Sequence, residues 1–316
     1  MKNVIRPAIL FGALGWICSS LPAAAASAGM PALGTVREAV TAHITVDRAA
    51  ASRIMARVRS ASAHYMPLRG GAVTRVDFGH AIPAASQYDL TNYGGPTVRS
   101  ESSNDLYVNC SSFSGCWGAP GTFLGNLASS NFIHLLDQYT GSTANGRYTY
   151  GGGIAESYNT SGTLQDQDIY NLVYSAASAH GTGYGHVYHV FLAAGVSQCS
   201  QSAGGCYAQQ YCAYHGAVDF GDIGHTLYTV EPYQGISGCM SPNGRLADST
   251  DSTLSHELYE TVTDPDVQTN TAWYNNTYGE IGDICRSSAG YVTVGGTSLN
   301  LQREYSNRYH ACSFSP

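Results

Sequence analysis

A histidine and two glutamates with the spacing of a metal site lie in the segment SHELYETVTDP, residues 255–265. On a helix, His256 and Glu260 share one face, so an imidazole nitrogen and a carboxylate oxygen can reach one Zn²⁺ at about 2.0–2.2 Å. Glu257 is turned about 100° away, where HExxH peptidases carry their general base. The spacing therefore predicts a zinc site in which Glu260 replaces the second histidine. The alternative is a solvated polar helix face.

Two acids further along the chain can complete such a site. Glu280 and Asp283 lie 20 and 23 residues after Glu260, in a stretch bounded by glycines. Catalytic zinc usually takes three protein ligands and a water. We expect one of the two acids to be the third ligand and the other to orient His256 through its second ring nitrogen. The alternative is a turn with two solvated acids.

The elements that must position these residues alternate between helix and strand. Helices are predicted over 163–181 and 248–263, the second ending before Pro265 because proline disfavours helical geometry in the preceding residue. The segments HVYHVFLAAGV and HTLYTVEPY are typical of buried strands, and 290–305 of a hairpin around a Gly-Gly pair. The Gly-rich stretch 148–162 is predicted to be a loop. This order indicates a mixed α/β (α+β) domain.

The start of the chain predicts export. A charged beginning and an apolar run over 8–21 precede PAAAASAG, which is typical of a secretory signal peptide over 1–28, cleaved after Ala26 or Ala28. The apolar run of about 14 residues is too short to span a bilayer, and no later segment is apolar enough to cross a membrane. We therefore expect a secreted protein, extracellular or periplasmic.

Cysteine usage agrees with that compartment. Without Cys18, eight cysteines remain, an even number that favours four disulfides over a cysteine metal cluster. Eight cysteines allow 105 connectivities. Short spacing favours Cys110–Cys116 and Cys199–Cys206. One pairing of the other four is Cys212–Cys239 and Cys285–Cys312.

The charge divides the chain into a basic arm and an acidic remainder. Residues 29–75 carry seven arginines against two acids (+5), and residues 76–316 carry six arginines against twenty acids (−14). Apolar residues at roughly helical spacing over 35–62 predict an amphipathic helix. We expect a basic arm or propeptide with a linker over 29–85, held over the metal site partly by charge, and one domain over 86–316. The alternative is a passive spacer. Nucleic acid is not an expected partner, because the acidic domain would repel phosphate.

An ordered set of motifs spanning roughly 90–316 resembles the phosphate-induced protein/EXORDIUM-like family. The main match is LSHELYETVTDPDVQTNTAWYNNTYGEIGDIC, and the family itself carries His-Glu-x-x-Glu there. The others are YGGP, CAYHGAVDF, PNGRLAD and YHACSFSP. Ala213 replaces a family glycine, and the CSQSAGGC loop is longer. The resemblance implies a zincin-like, disulfide-braced domain with a mixed sheet and an active-site helix. It also draws attention to His215, as a metal ligand, a donor to an oxyanion, or a histidine satisfied within the core.

Together these observations predict an exported zinc-dependent endopeptidase acting on a protein or peptide substrate. One catalytic Zn²⁺ would be bound by His256, Glu260 and either Asp283 or Glu280. Glu257 would take the proton of the attacking water and pass it to the leaving amine. The alternative is a non-catalytic exported protein of the cell wall or of intercellular signalling, with a structural metal or none.

Overall fold

A mixed seven-stranded sheet forms the centre of the protein in a computed structural model, which describes residues 40–69, 86–110 and 116–316. The predicted signal peptide and its cleavage sites lie outside these residues. The strands of this sheet are β1 (Val40–Thr45), β2 (Val58–Pro67), β4 (Glu101–Val108), β5 (Tyr148–Ser157), β7 (His186–Leu192), β10 (Tyr211–Phe220) and β11 (Gly224–Glu231). Their spatial order is β1-β5-β4-β7-β11-β10-β2.

The sheet combines a parallel part with an antiparallel edge. The strands from β1 to β11 in the spatial order are mutually parallel, and β10 runs antiparallel to both β11 and β2. Central strand β7 is a nearly continuous apolar run that is buried from Val187 to Leu192. Such runs are typical of parallel strands covered on both faces. The predicted mixed α+β architecture with a mixed sheet is therefore confirmed.

Helices cover both faces of the sheet and produce two separate cores. Helix α4 buries Ile169, Leu172 and Val173 on one face, and helix α5 buries Leu254 and Leu258 on the other. The α-helices are α1 (Ala51–Met55), α2 (Pro120–Leu127), α3 (Asp137–Thr140), α4 (Asp166–His180) and α5 (Leu246–Thr263). Shorter 3-10 turns span Arg48–Ala50, Ile133–Leu136 and Asp283–Cys285.

Small β ribbons surround this framework. The predicted hairpin at the Gly-Gly pair is confirmed: β13 pairs with β14, and β14 packs against α5. The short strands are β3 (Thr91–Asn92), β6 (Thr163–Leu164), β8 (Ser197–Ser200), β9 (Gly205–Cys206), β12 (Trp273–Tyr274), β13 (Ala289–Val294), β14 (Thr297–Gln302), β15 (Glu304–Ser306) and β16 (Ala311–Ser313).

Helix α5 is unusual because it is polar in sequence and buried along its length, from Asp248 to Thr263. Several of its hydroxyls donate to backbone carbonyls of the helix itself, whereas those of Thr250 and Tyr259 are buried without a partner. Thr253 donates to the carbonyl of Ser249 at 3.0 Å, and Thr261 donates to the carbonyl of Glu257 at 2.7 Å. These bonds let small polar residues pack inside a protein without unpaired donors. The helix can therefore carry charged residues into the interior.

Four disulfides brace the fold in the connectivity anticipated from the sequence: Cys110–Cys116, Cys199–Cys206, Cys212–Cys239 and Cys285–Cys312. The last bond joins the 3-10 turn that carries Asp283 to strand β16. No helix among the described residues is long and apolar enough to cross a membrane.

The structure of the N-terminal segment differs from two predictions, that of an amphipathic helix and that of a separate arm. The amphipathic helix predicted over 35–62 is wrong: within its described residues the chain forms β1, a single short helix and the start of β2. β1 and β2 are the two edge strands of the main sheet, and β2 pairs with β10 along its length. The described part of the 29–85 segment, residues 40–69, is therefore continuous with the fold of residues 86–316 and is not a detached arm.

The loop predicted over 148–162 is also wrong in its first ten residues, which form β5. Its glycines are needed because neighbouring side chains lie against the strand. A Cβ at Gly151 would stand 2.3 Å from Ser102 Oγ, and one at Gly153 would stand 2.6 Å from a ring carbon of Tyr107. Glycine here permits close packing and does not mark a turn.

We expect the fragment 86–316 to fail to fold cooperatively, because it lacks both edge strands and leaves β10 unpaired on one side. Size-exclusion chromatography and thermal unfolding, run beside the full chain, measure this. A monomeric fragment with an unchanged cooperative transition would contradict the edge-strand assignment.

The disulfides should differ in their contribution to stability, because they close loops of different length. Replacing Cys285 and Cys312 by serine opens a separation of 27 residues, whereas replacing Cys199 and Cys206 opens one of 7. Chain entropy predicts losses of about 3.5 and about 2.4 kcal/mol, respectively. Guanidinium unfolding of the two double variants checks the order. Equal losses would show that chain entropy does not govern them.

Candidate metal centre

Three histidines and four acids converge between helix α5 and the sheet. Helix α5 contributes His256, Glu257 and Glu260, all fully buried. His256 and Glu260 face each other across one helical turn, with 3.1 Å between Nε2 and Oε1. Gln302 of β14 holds the ring from its other side, 2.8 Å from Nδ1. The helix face predicted from the sequence is therefore buried and not solvated.

The segment after α5 brings the two downstream acids to the same place. The backbone amide of Asp283 donates to Glu260 Oε1 at 3.1 Å. Gly282 makes this approach feasible, because a Cβ there would stand 2.3 Å from His256 Nδ1. Glu280 is completely buried beside them. The predicted convergence of Asp283 with the helix residues is confirmed, since ligand atoms of His256, Glu260 and Asp283 all lie within 4.8 Å of one another.

Unpartnered atoms in this cluster fit a cation. Glu260 Oε2 and Asp283 Oδ1 are buried and lack a hydrogen-bond partner, and the 3.1 Å contact of His256 Nε2 with Glu260 Oε1 does not have hydrogen-bond geometry. A buried polar atom without a partner carries a desolvation penalty, so native proteins rarely leave several together. One imidazole and two carboxylates are ordinary ligands of Zn²⁺. The donor set therefore fits the metal that the sequence suggests.

His215 lies within strand β10 and points at the acids of α5. Its Nδ1 is 3.3 Å from Glu257 Oε2 and 3.5 Å from Glu260 Oε2. Burial lowers the pKa of His215, although Glu260 acts in the opposite direction. Burial, reinforced by Glu260, raises the pKa of Glu257 well above its ordinary value. Of the roles left open by the sequence, the geometry is compatible with that of a metal ligand, because ligand atoms of His215, Glu257 and Glu260 also lie within 4.8 Å of one another.

His64 is a member of the cluster that sequence reasoning missed. It lies on β2 directly opposite His215 of β10, and its Nε2 is 2.8 Å from Asp283 Oδ2. Burial lowers the pKa of His64, but Asp283 and other acids outweigh it and raise the value to about 9. Only a strand assignment for residues 58–67 would have placed His64 beside His215.

A row of polar side chains continues across the sheet from the cluster. In the strand register, His64 is opposite His215, which is opposite Thr229, which is opposite His189. His189 Nδ1 lies 2.9 Å from Thr229 Oγ1, and its Nε2 lies 3.0 Å from Ser103 Oγ. Cross-strand partners point to the same face, so the row forms a polar surface beneath α5.

Two buried acids end this row. Thr229 donates to Glu231 Oε1 at 2.9 Å, and Ser103 Oγ lies 3.1 Å from both carboxylate oxygens of Glu101. Burial raises the pKa of both acids to about 8, although the hydrogen bonds from Ser103 and Thr229 act in the opposite direction. Burial lowers the pKa of His189 to about 3, so this histidine is neutral.

Two further histidines pair with acids outside the cluster. His225 contacts Asp219 and Asp266, at 2.9 Å and 3.0 Å, and His310 contacts Asp89 at 2.8 Å. Each of these histidines is partly exposed, and neither belongs to the cluster.

A cavity of about 440 Å³ opens beside the cluster, and His64 is the cluster residue that lines it. The His64 side chain is 20% exposed and that of Asp283 is 8% exposed, whereas the other five are fully buried. The remaining wall is mostly uncharged and polar or aromatic, and includes Tyr93, Gln268, Asn270, Thr271, Tyr274 and Asn276.

No protein-family model, curated protein or solved structure matches this chain.

The buried acid at the end of the polar row should give a distinctive pH dependence of stability. Burial raises the folded pKa of Glu101 from 4.5 to about 8, so its contribution is fully present below pH 4.5 and is lost as the pH rises through 8. A glutamine replaces the protonated acid. We expect Glu101→Gln to remove a decline of about 1.4 kcal/mol per pH unit over this window.

Urea unfolding of wild type and variant at pH 5, 6.5 and 8 measures this difference. The matched surface change is Asp222→Asn. Its hydrogen bonds to Tyr174 and Arg57 lower the pKa of Asp222, so it is ionised throughout this range. It should leave the slope unchanged. Parallel curves for wild type and Glu101→Gln would show that Glu101 ionises normally.

Proposed function

We propose that the protein is a zinc-dependent endopeptidase whose metal is held by His256, Glu260 and Asp283. The observation that carries this proposal is the convergence of these three side chains with unpartnered, buried ligand atoms, beside a glutamate at the position of the general base. Export and the EXORDIUM-like resemblance stay predictions, and the four disulfides are compatible with export.

The site residues can divide the chemistry of peptide hydrolysis between them. Bound zinc supplies Lewis-acid polarisation of the scissile carbonyl and of the attacking water. Glu257 has one carboxylate oxygen, Oε1, without a hydrogen-bond partner. That oxygen can accept the proton of the water, and Glu257 can then deliver it to the leaving amine. His215 positions Glu257 by its contact with the other oxygen.

The cavity supports a peptide substrate. Its wall offers side-chain amides from Gln268, Asn270 and Asn276, which can bond to peptide carbonyls and N–H groups. Tyr93 and Tyr274 add aromatic surface for apolar side chains. A net charge of −7 does not favour a polyanionic substrate.

A second candidate is a non-catalytic protein of the cell wall or of intercellular signalling with a structural metal. The observation that favours it is the complete burial of Glu257, Glu260 and His256. Structural zinc sites are closed, whereas catalytic sites keep one position open to water and substrate. Turnover, and not metal content, separates the two candidates.

We expect Glu257→Gln to reduce kcat/KM on casein about 10²–10⁴-fold while leaving the bound zinc in place, because it removes the proton acceptor and not a ligand. Hydrolysis is measured with and without a chelator, and zinc by atomic emission. The matched control is Glu156→Gln, another buried acid-to-amide change on β5 outside the cluster, which should retain activity. Chelator-insensitive hydrolysis, or equal activity in wild type and Glu257→Gln, would refute the proposal.

A further inference from the structure

The metal site proposed above uses only part of the cluster. His64 and Glu280 are not needed for it, yet together with Glu260 they form a second set whose ligand atoms lie within 4.8 Å of one another. Glu260 belongs to both sets, and also to a third that it forms with His215 and Glu257. A carboxylate has two oxygens and can ligate two cations at once. The two Glu260 oxygens also have different neighbours here: Oε1 faces His256 and Oε2 faces His215.

Glu280 is the residue that most needs a cation. Its side chain is fully buried, and both of its carboxylate oxygens lack a hydrogen-bond partner. Its closest cluster nitrogens are His64 Nε2 and His215 Nε2, each 3.7 Å away. His215 Nε2 is also buried and unpartnered. These distances are too long for hydrogen bonds.

The same distances suit ligands that share an ion. When each bond to the metal is about 2.1 Å, two ligand atoms in a tetrahedral arrangement lie about 3.4 Å apart. The contacts between Glu280 and the two imidazoles are close to this spacing. Glu280 therefore stands where a ligand of a second ion would stand.

Charge balance also favours a second ion. Glu257, Glu260, Glu280 and Asp283 contribute four negative charges when ionised, and all but the slightly exposed Asp283 are fully buried. One divalent cation compensates two of them, and a second compensates the remainder. Uncompensated carboxylates in a buried site are strongly unfavourable.

We propose that the protein holds a second divalent transition-metal ion, bound by His64 and Glu280 and bridged to the first through Glu260, with His215 Nε2 beside it. This inference rests on the proposed function for the first ion. The mixed imidazole and carboxylate donors suit Zn²⁺. Because His64 lines the cavity, the second ion is the one nearer to an entering peptide. Paired metal ions of this kind occur in aminopeptidases.

The test is metal stoichiometry in the intact, disulfide-bonded chain. Protein stripped with a chelator is titrated with Zn²⁺ by calorimetry, and the loaded protein is measured by atomic emission. Wild type should hold two ions per chain, whereas His64→Ala and Glu280→Gln should each hold one. His43→Ala, an exposed histidine on β1, should still hold two. Circular dichroism and thermal unfolding establish that each variant is folded, and Glu280→Gln preserves side-chain size.

One ion in wild type and one in folded His64→Ala would overturn the proposal and assign His64 to a protonated ion pair with Asp283. Two ions in both proteins would also overturn it, because His64 would then not be a ligand. Peptidase activity is measured separately on the same samples. A chain that hydrolyses casein with one ion refutes the second site alone. A chain that binds two ions without turnover refutes the peptidase and leaves the two-ion site standing.

Discussion

The structure depends on burying seven titratable side chains in one small space. An ionised carboxylate moved into a protein interior loses several kcal/mol of hydration, which only cations or dense hydrogen bonds restore. The surrounding architecture is organised to supply that compensation. Strands β2 and β10 present two imidazoles, Gly282 lets a backbone amide reach Glu260, and Cys285–Cys312 fixes the turn beyond it. The chemistry proposed for the site would use the same buried, unpartnered atoms whose desolvation is unfavourable.

The polar row across the sheet explains how a polar helix can be internal. Helix α5 packs over side chains that are themselves hydrogen-bonded, including His189 and Thr229, and apolar residues such as Leu254 and Leu258 fill the space around them. A network of this kind has few satisfactory arrangements, because displacing one member leaves another without a partner. The row therefore specifies the position of α5 more sharply than apolar packing alone would.

Sequence reasoning recovered what local chemistry determines. The spacing of His256 and Glu260 predicts helix α5, and the Gly-Gly pair predicts the hairpin. Short separation along the chain predicts two of the four disulfides. The predictions are wrong where a local pattern of apolar residues fits both a helix and a strand. Residues four apart, such as Val40 and Ile44, share a face in a helix and also in a strand, so their spacing predicts a helix where the chain forms a strand. The sequence also does not predict His64 as a site residue, since only the long-range pairing of β2 with β10 places it opposite His215.

The topology also determines when the site can come into existence. β1 pairs with β5 across a sequence separation of more than 100 residues, and β2 pairs with β10, which lies about 150 residues later in the chain. Bringing such distant segments together is entropically slow, and long-range pairings of this type lower folding rates. A chain emerging in order would hold β2 unpaired until most of the sheet had been made, and the cluster would close among the last steps. Capture of the proposed metal would therefore be a late event that reports completion of the fold.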